Sequence, residues 1–129
     1  MEIGSLRHLV QDRAGTGPEH HDPQLRGRVY AIPFERVWSE ALRLAGGGLR
    51  GWAILRADDQ DGRIQAEAAR LLSRAVDDVE IRICLDDNAQ TRVDLTSRSR
   101  TQRPDLGANR RRILKFLREM DVRLGVASP

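Results

Sequence analysis

Asp78-Val79-Glu80-Ile81-Arg82-Ile83-Cys84-Leu85 is the stretch that decides the fold. Val79, Ile81, Ile83 and Leu85 alternate with Glu80, Arg82 and Cys84, the period of a strand with one buried face and one wet face. Asp86-Asp87-Asn88-Ala89 then turns the chain, and Thr91–Arg100 returns with Val93 and Leu95 inward. Upstream, Trp52–Ala57 and Arg63–Arg70 flank Asp58-Asp59-Gln60-Asp61-Gly62, whose Asp-Gly pair marks a second hairpin. Leu71–Val76 fits either a strand extension or a crossing loop.

Outside these hairpins the period changes. Val29–Ile32 reads as a short strand, and Pro33 suits the first position of a helix, where its missing N–H costs nothing. Phe34, Val37, Trp38, Ala41, Leu44 and Ala45 recur at three- and four-residue spacing until Gly46-Gly47-Gly48 stops them. A second helix runs from Asp105, an N-cap residue type, to Leu124, with Leu106, Ile113, Phe116, Leu117 and Met120 on its apolar stripe. Trp38 and Phe116 sit at core spacing. The order β-α-β-β-β-β-α predicts an α+β domain, an antiparallel sheet of about five strands with two helices on one face. Residues 1–27, with Gly15, Gly17, Pro18, Pro23 and Gly27, read as a polar arm carrying at most a short helix over Ser5–Arg13, and 28–129 as the single domain.

At 129 residues the chain has room for one core, and its lone cysteine, Cys84, forms no internal disulfide and fits the cytoplasm. No apolar run approaches the roughly 20 residues that span a bilayer. The net charge of +3 conceals an asymmetry: residues 57–97 sum to −5 and residues 98–129 to +6. Lys115 is the only lysine, so the basic set is arginine, suited to two-point pairing with carboxylate or phosphate. Nucleic-acid binding is disfavoured, because five aromatics, two of them at core spacing, leave little to stack on bases.

The ordered set Asp77-Asp78-Val79-Glu80-Ile81-Arg82, Ser97-Arg98-Ser99-Arg100 and Asp105-Leu106-Gly107-Ala108-Asn109 with Arg112-Ile113 resembles the bacterial family known as domain of unknown function 1499. Tyr30–Trp38 and Gly51-Trp52 resemble it too, while Gln102 and Pro104 depart from its usual small residues. The resemblance implies the boundaries of the structured region and marks a site, but implies no reaction.

The chemistry-bearing residues offer few routes to catalysis. No histidine follows His21, and Glu19-His20-His21-Asp22 lacks the spacing of a formed metal site, so neither a catalytic set, a metal nor a cofactor is expected. Asp77, Asp78 and Asp105 are the candidates for an acid/base role, although adjacent strand residues face opposite ways. Arg110-Arg111-Arg112 opposes the helix dipole, and Arg98, Arg100 and Arg103 approach the same helix start. Such a cluster needs anions. One solution is internal, a polar corner of Asp77, Asp78, Ser97, Ser99, Asp105 and Gly107. The other is an anionic small molecule or acidic protein surface held by Arg98, Arg100, Arg103, Asn109 and Arg112. A structural interaction domain without a small-molecule site is the third reading.

Overall fold

The computed structural model describes residues 12–101 and 104–127. Its elements are β1 (Arg13–Gly15), β2 (Arg28–Tyr30), α1 (Phe34–Arg43), β3 (Trp52–Asp58), β4 (Arg63–Ala69), β5 (Val76–Leu85), β6 (Thr91–Ser99) and α2 (Ala108–Arg123). All strand pairs are antiparallel, in the order β1-β6-β5-β4-β3, with β2 also paired to β6. The α+β architecture is therefore as expected, with six strands instead of about five.

Alternation places the core. Ile64, Ala66 and Ala68 of β4, Val79, Ile81 and Ile83 of β5, and Val93 and Leu95 of β6 are all buried on one face. Over them lie Val37 and Ala41 of α1 and Ile113, Phe116, Leu117 and Met120 of α2. Phe116 is fully buried and stacks on Trp52, ring centroids 5.4 Å apart. Trp38 corrects the expectation of a second buried helix aromatic: it is half-buried, stacked on Phe34 at the rim. Its neighbour Val37 takes the central position, because the two differ by about 100° around the helix and only one can point at the sheet. The opposite sheet face is wet and laced with ion pairs such as Arg63–Glu80 (3.1 Å) and Arg92–Asp94 (2.8 Å).

Both β1 and β2 run along the edge of β6 that β5 leaves open. Thr16 continues β1, its N–H donating to Leu95 O (2.9 Å) and its hydroxyl to Asp94 (2.6 Å). Residues 17–27 then leave the sheet as a loop, tucking Leu25 into the core, and the chain resumes pairing at Arg28 opposite Val93. Gly27 makes the re-entry possible at φ +79°, where an added Cβ would stand 2.6 Å from an Asp94 carboxylate oxygen. The described part of the stretch read as an arm is thus extended but hydrogen-bonded to the sheet. The helix expected over Ser5–Arg13 lies outside the described residues, apart from Asp12 and Arg13; Arg13 opens β1.

A buried acid ties β2 to α2. Asp121, 1% exposed, accepts from the Tyr30 hydroxyl (2.7 Å) and from Arg28 Nε (3.2 Å). Burial, then the bond to Asp121, raises the Tyr30 phenol above its ordinary value of 10.0. A phenol whose pKa is raised on folding stabilises the fold below its unfolded value and loses that contribution as pH rises past it. Stability should therefore hold to about pH 10 and then fall by at most about 1.4 kcal/mol per pH unit. Urea midpoints from pH 8 to 11 check this. Tyr30→Phe should flatten the alkaline limb, and a limb unchanged in that variant would assign the loss to another group.

Candidate functional site

At the end of the sheet where β5 begins and β6 ends, the inward positions turn from apolar to polar. Asp77, Ser97 and Ser99 continue the buried register of Val79 and Leu95, at 1%, 0% and 2% exposure. Isolated polar groups there would cost several kcal/mol, so partners are obligatory. Arg70, just past β4, grips Asp77 at two points, Nε to Oδ2 and Nη2 to Oδ1, both 3.0 Å, and donates to Ser99 Oγ (2.9 Å). Arg112 reaches Asp77 from α2 at 2.7 Å. The hydrogen bond to Asp77 also raises the Arg70 pKa.

Asn109 is the hub between strand and helix. Fully buried, its Oδ1 accepts from Ser97 Oγ (2.7 Å) and Arg112 Nη1 (3.0 Å). Its Nδ2 donates to Asp12 O (3.0 Å), Ser99 Oγ (3.3 Å) and the Asp105 carboxylate. Asp105 is also buried and accepts from Gly107 N (2.7 Å) and more distantly from Asn109 N (3.4 Å). One expectation is corrected: the N-cap is Gly107, in the left-handed region at φ +84°, while Asp105 reaches the first turn from two residues further back. Two arginines and two aspartates close this network with their charges balanced.

The six arginines expected to converge do not share one site. Strand alternation puts Arg98 and Arg100 on the wet face, opposite Ser97 and Ser99. Arg100 there pairs with Asp78 (2.7 Å) and Glu67 (3.1 Å), and these bonds, Asp78 first, raise its pKa. Arg98 is exposed in register with Arg13. Arg103 lies outside the described residues. The helical turn of about 100° per residue then sends the consecutive arginines three ways. Arg112 goes inward, and Arg110 goes sideways to Asp22 (2.9 Å) and Gln24 (2.6 Å) of the 17–27 loop. Arg111 goes outward, with one bond to Leu106 O (3.0 Å). Burial pushes the Asp22 carboxyl upward, but the Gln24 N–H and Arg110 outweigh it, leaving the net pKa lowered.

The acid/base candidates divide between the two faces of the sheet. Asp77 and Asp105 are buried within the network, and Asp78 is on the other face of the sheet. Among the described residues, no group of three or more histidine, cysteine, aspartate or glutamate side chains is placed to hold a metal ion. His20 and His21 stack on each other at 4.5 Å, and His20 Nδ1 accepts from Asp22 N.

Sequence reasoning missed Arg70, whose role depends on the β4–β5 connection, and it missed a stripe on the outer face of α2. Arg111, Lys115, Arg118 and Val122 are exposed at spacings of four, three and four, within an arc of about 60°. Among the described residues, Arg111, Lys115 and Arg118 have no ion-pair partner, whereas Arg28, Arg70, Arg92, Arg100, Arg110 and Arg112 each have one. The signal was present as the complement of the Ile113–Phe116–Leu117–Met120 stripe.

A family described as "Protein of unknown function (DUF1499)" matches residues 11–120, and the chain belongs to that family. No curated protein matches the chain. Among solved structures, the crystal structure of CalU16 from Micromonospora echinospora is similar at 20% identity. The match covers 92% of this chain and 87% of that one, with a TM-score of 0.46. No helix among the described residues is long and apolar enough to cross a membrane.

Proposed function

We propose that this DUF1499 member is a non-catalytic module that binds an anionic partner through the outer face of α2, with the buried corner serving to hold that helix in place. The carrying observation is the contrast in neutralisation. Arg100 and Arg112, with Asn109, were candidate ligands at the helix start, but they are engaged by Asp78, Glu67, Asp77 and the serines of β6. Arg98 is exposed on the wet face of the sheet, outside the buried network. Arg111, Lys115 and Arg118 instead present three like charges to solvent on one helix face. Within a Debye length of one another they raise the local potential and favour an anion over any neutral surface. The engagement of Asp77 and Asp105 by arginine and amide donors within the buried network, with Asp78 paired on the other face, weighs against the enzymatic alternative. An exposed, single cysteine fits a cytoplasmic setting.

The test is titration of the protein with polyglutamate at 50 and 200 mM sodium chloride. Binding should weaken as salt rises, and the triple variant Arg111→Gln/Lys115→Gln/Arg118→Gln should lose about tenfold or more in affinity with its melting temperature little changed. The pair Arg98→Gln/Arg100→Gln should cost less. Equal affinity in the triple variant and the wild type would defeat the assignment.

A further inference from the structure

Three leucines at one end of the molecule are exposed far beyond what the fold requires. In the β4–β5 loop Leu71 is 71% exposed and Leu72 102%, and ahead of α2 Leu106 is 69% exposed. The hydrogen-bond network brings the two segments to the same end. Arg70, adjoining Leu71, bonds Ser99 and Asp77, while Asp105, adjoining Leu106, is joined to Ser99 through Asn109. Arg70 and Asp105 also interact electrostatically.

Leu106 is unfavourable twice over. Its φ of +54° lies in the region that suits glycine or asparagine, and its side chain buries little. Nothing in the core uses it. Cations flank the leucines: Arg74 is exposed two residues beyond Leu72, and Arg111 bonds the Leu106 carbonyl. Lys115 and Arg118 follow along α2 at about 6 and 10 Å from Arg111, by the helical rise, within roughly a Debye length of whatever that end touches.

We infer that the anionic partner is a lipid bilayer, and that Leu71, Leu72 and Leu106 insert into its interface while Arg74, Arg111, Lys115 and Arg118 meet anionic headgroups. The inference rests on reading the α2 stripe as an anion-binding face. The shape of the end favours lipid over protein. Leu72 projects fully and lies in no groove, so a protein partner would have to supply a matching pocket, whereas fluid acyl chains close around any protruding side chain. Apolar insertion combined with unpaired cations is the pairing by which peripheral proteins hold an anionic surface.

The experiment is cosedimentation of the full chain with vesicles of phosphatidylcholine, with and without about one third phosphatidylglycerol, run beside the polyglutamate titration. Binding is expected only to the anionic vesicles and should weaken with salt. Leu71→Ser/Leu72→Ser should lower vesicle partitioning about tenfold while leaving polyglutamate affinity and the melting temperature unchanged. Leu106→Asn should also weaken vesicle binding while raising the melting temperature, since asparagine tolerates that backbone. Vesicle binding untouched by the leucine variants would overturn the inference. Polyglutamate binding without vesicle binding would overturn it too, leaving the α2 reading intact and pointing to an acidic protein. Failure of both probes would remove the α2 reading itself.

Discussion

Asp77→Ala is expected to destabilise the domain by about 3–5 kcal/mol, a large part of the 5–15 kcal/mol that holds a domain folded. The side chain is 1% exposed and answers two guanidiniums at once, Arg70 through two hydrogen bonds and Arg112 through an ion pair. Removing it leaves both cations at the core boundary, their side chains 26% and 12% exposed, without the carboxylate that pairs directly with them. Its neighbour provides the control. Asp78 pairs with Arg100 on the wet face, where both side chains are well exposed, so Asp78→Ala should cost under about 1 kcal/mol. Urea denaturation of the two variants should separate adjacent aspartates by several kcal/mol. Similar costs for both would show that the network contributes no more than a surface pair.

Phe116→Ala should cost a comparable 3–5 kcal/mol, for a different reason. The ring has no exposed surface and stacks on Trp52, so truncation loses transfer energy, leaves a cavity and forfeits an aromatic pair. Trp38→Ala removes a larger ring but from a half-buried site, so its cost should be clearly smaller. Denaturant midpoints at constant m-value would check the order. A larger loss at Trp38 than at Phe116 would mean that the core is centred on α1 and not on the Trp52–Phe116 stack.

The central strands were legible because one rule, apolar alternation, governs each of them, and the Asp61-Gly62 turn sets their first hairpin. The same rule, applied at Asp77, Ser97 and Ser99, would have shown that these polar residues face inward and that Arg98 and Arg100 do not. Of the three-residue strands, β2 was legible as Val29–Ile32 but not its pairing, and β1 carries no periodic signal. They form because the edge of β6 must be hydrogen-bonded or protected, a demand that belongs to another part of the chain. Trp38 was misjudged because spacing identifies a helix face only to within about one residue, and Val37 lies nearer its centre. Asp105 resembled an N-cap by type, but the cap fell at Gly107, where a left-handed residue turns the backbone into the helix.

The divided edge strand has a consequence for the order in which the chain can mature. Arg13 pairs with Arg98, and the Asp12 carbonyl is held by Asn109 of the final helix, so the start of the described chain has no place to settle until nearly all the rest has been made. Closing so long a span is entropically expensive and characteristically slow. During synthesis the β3–β4–β5 meander can assemble from local contacts alone, while the β6 edge is completed by a segment made well before it. The loop at residues 17–27 breaks that late addition into two short steps, one at each half of β6. Each half of β6 is thereby covered by its own three-residue segment.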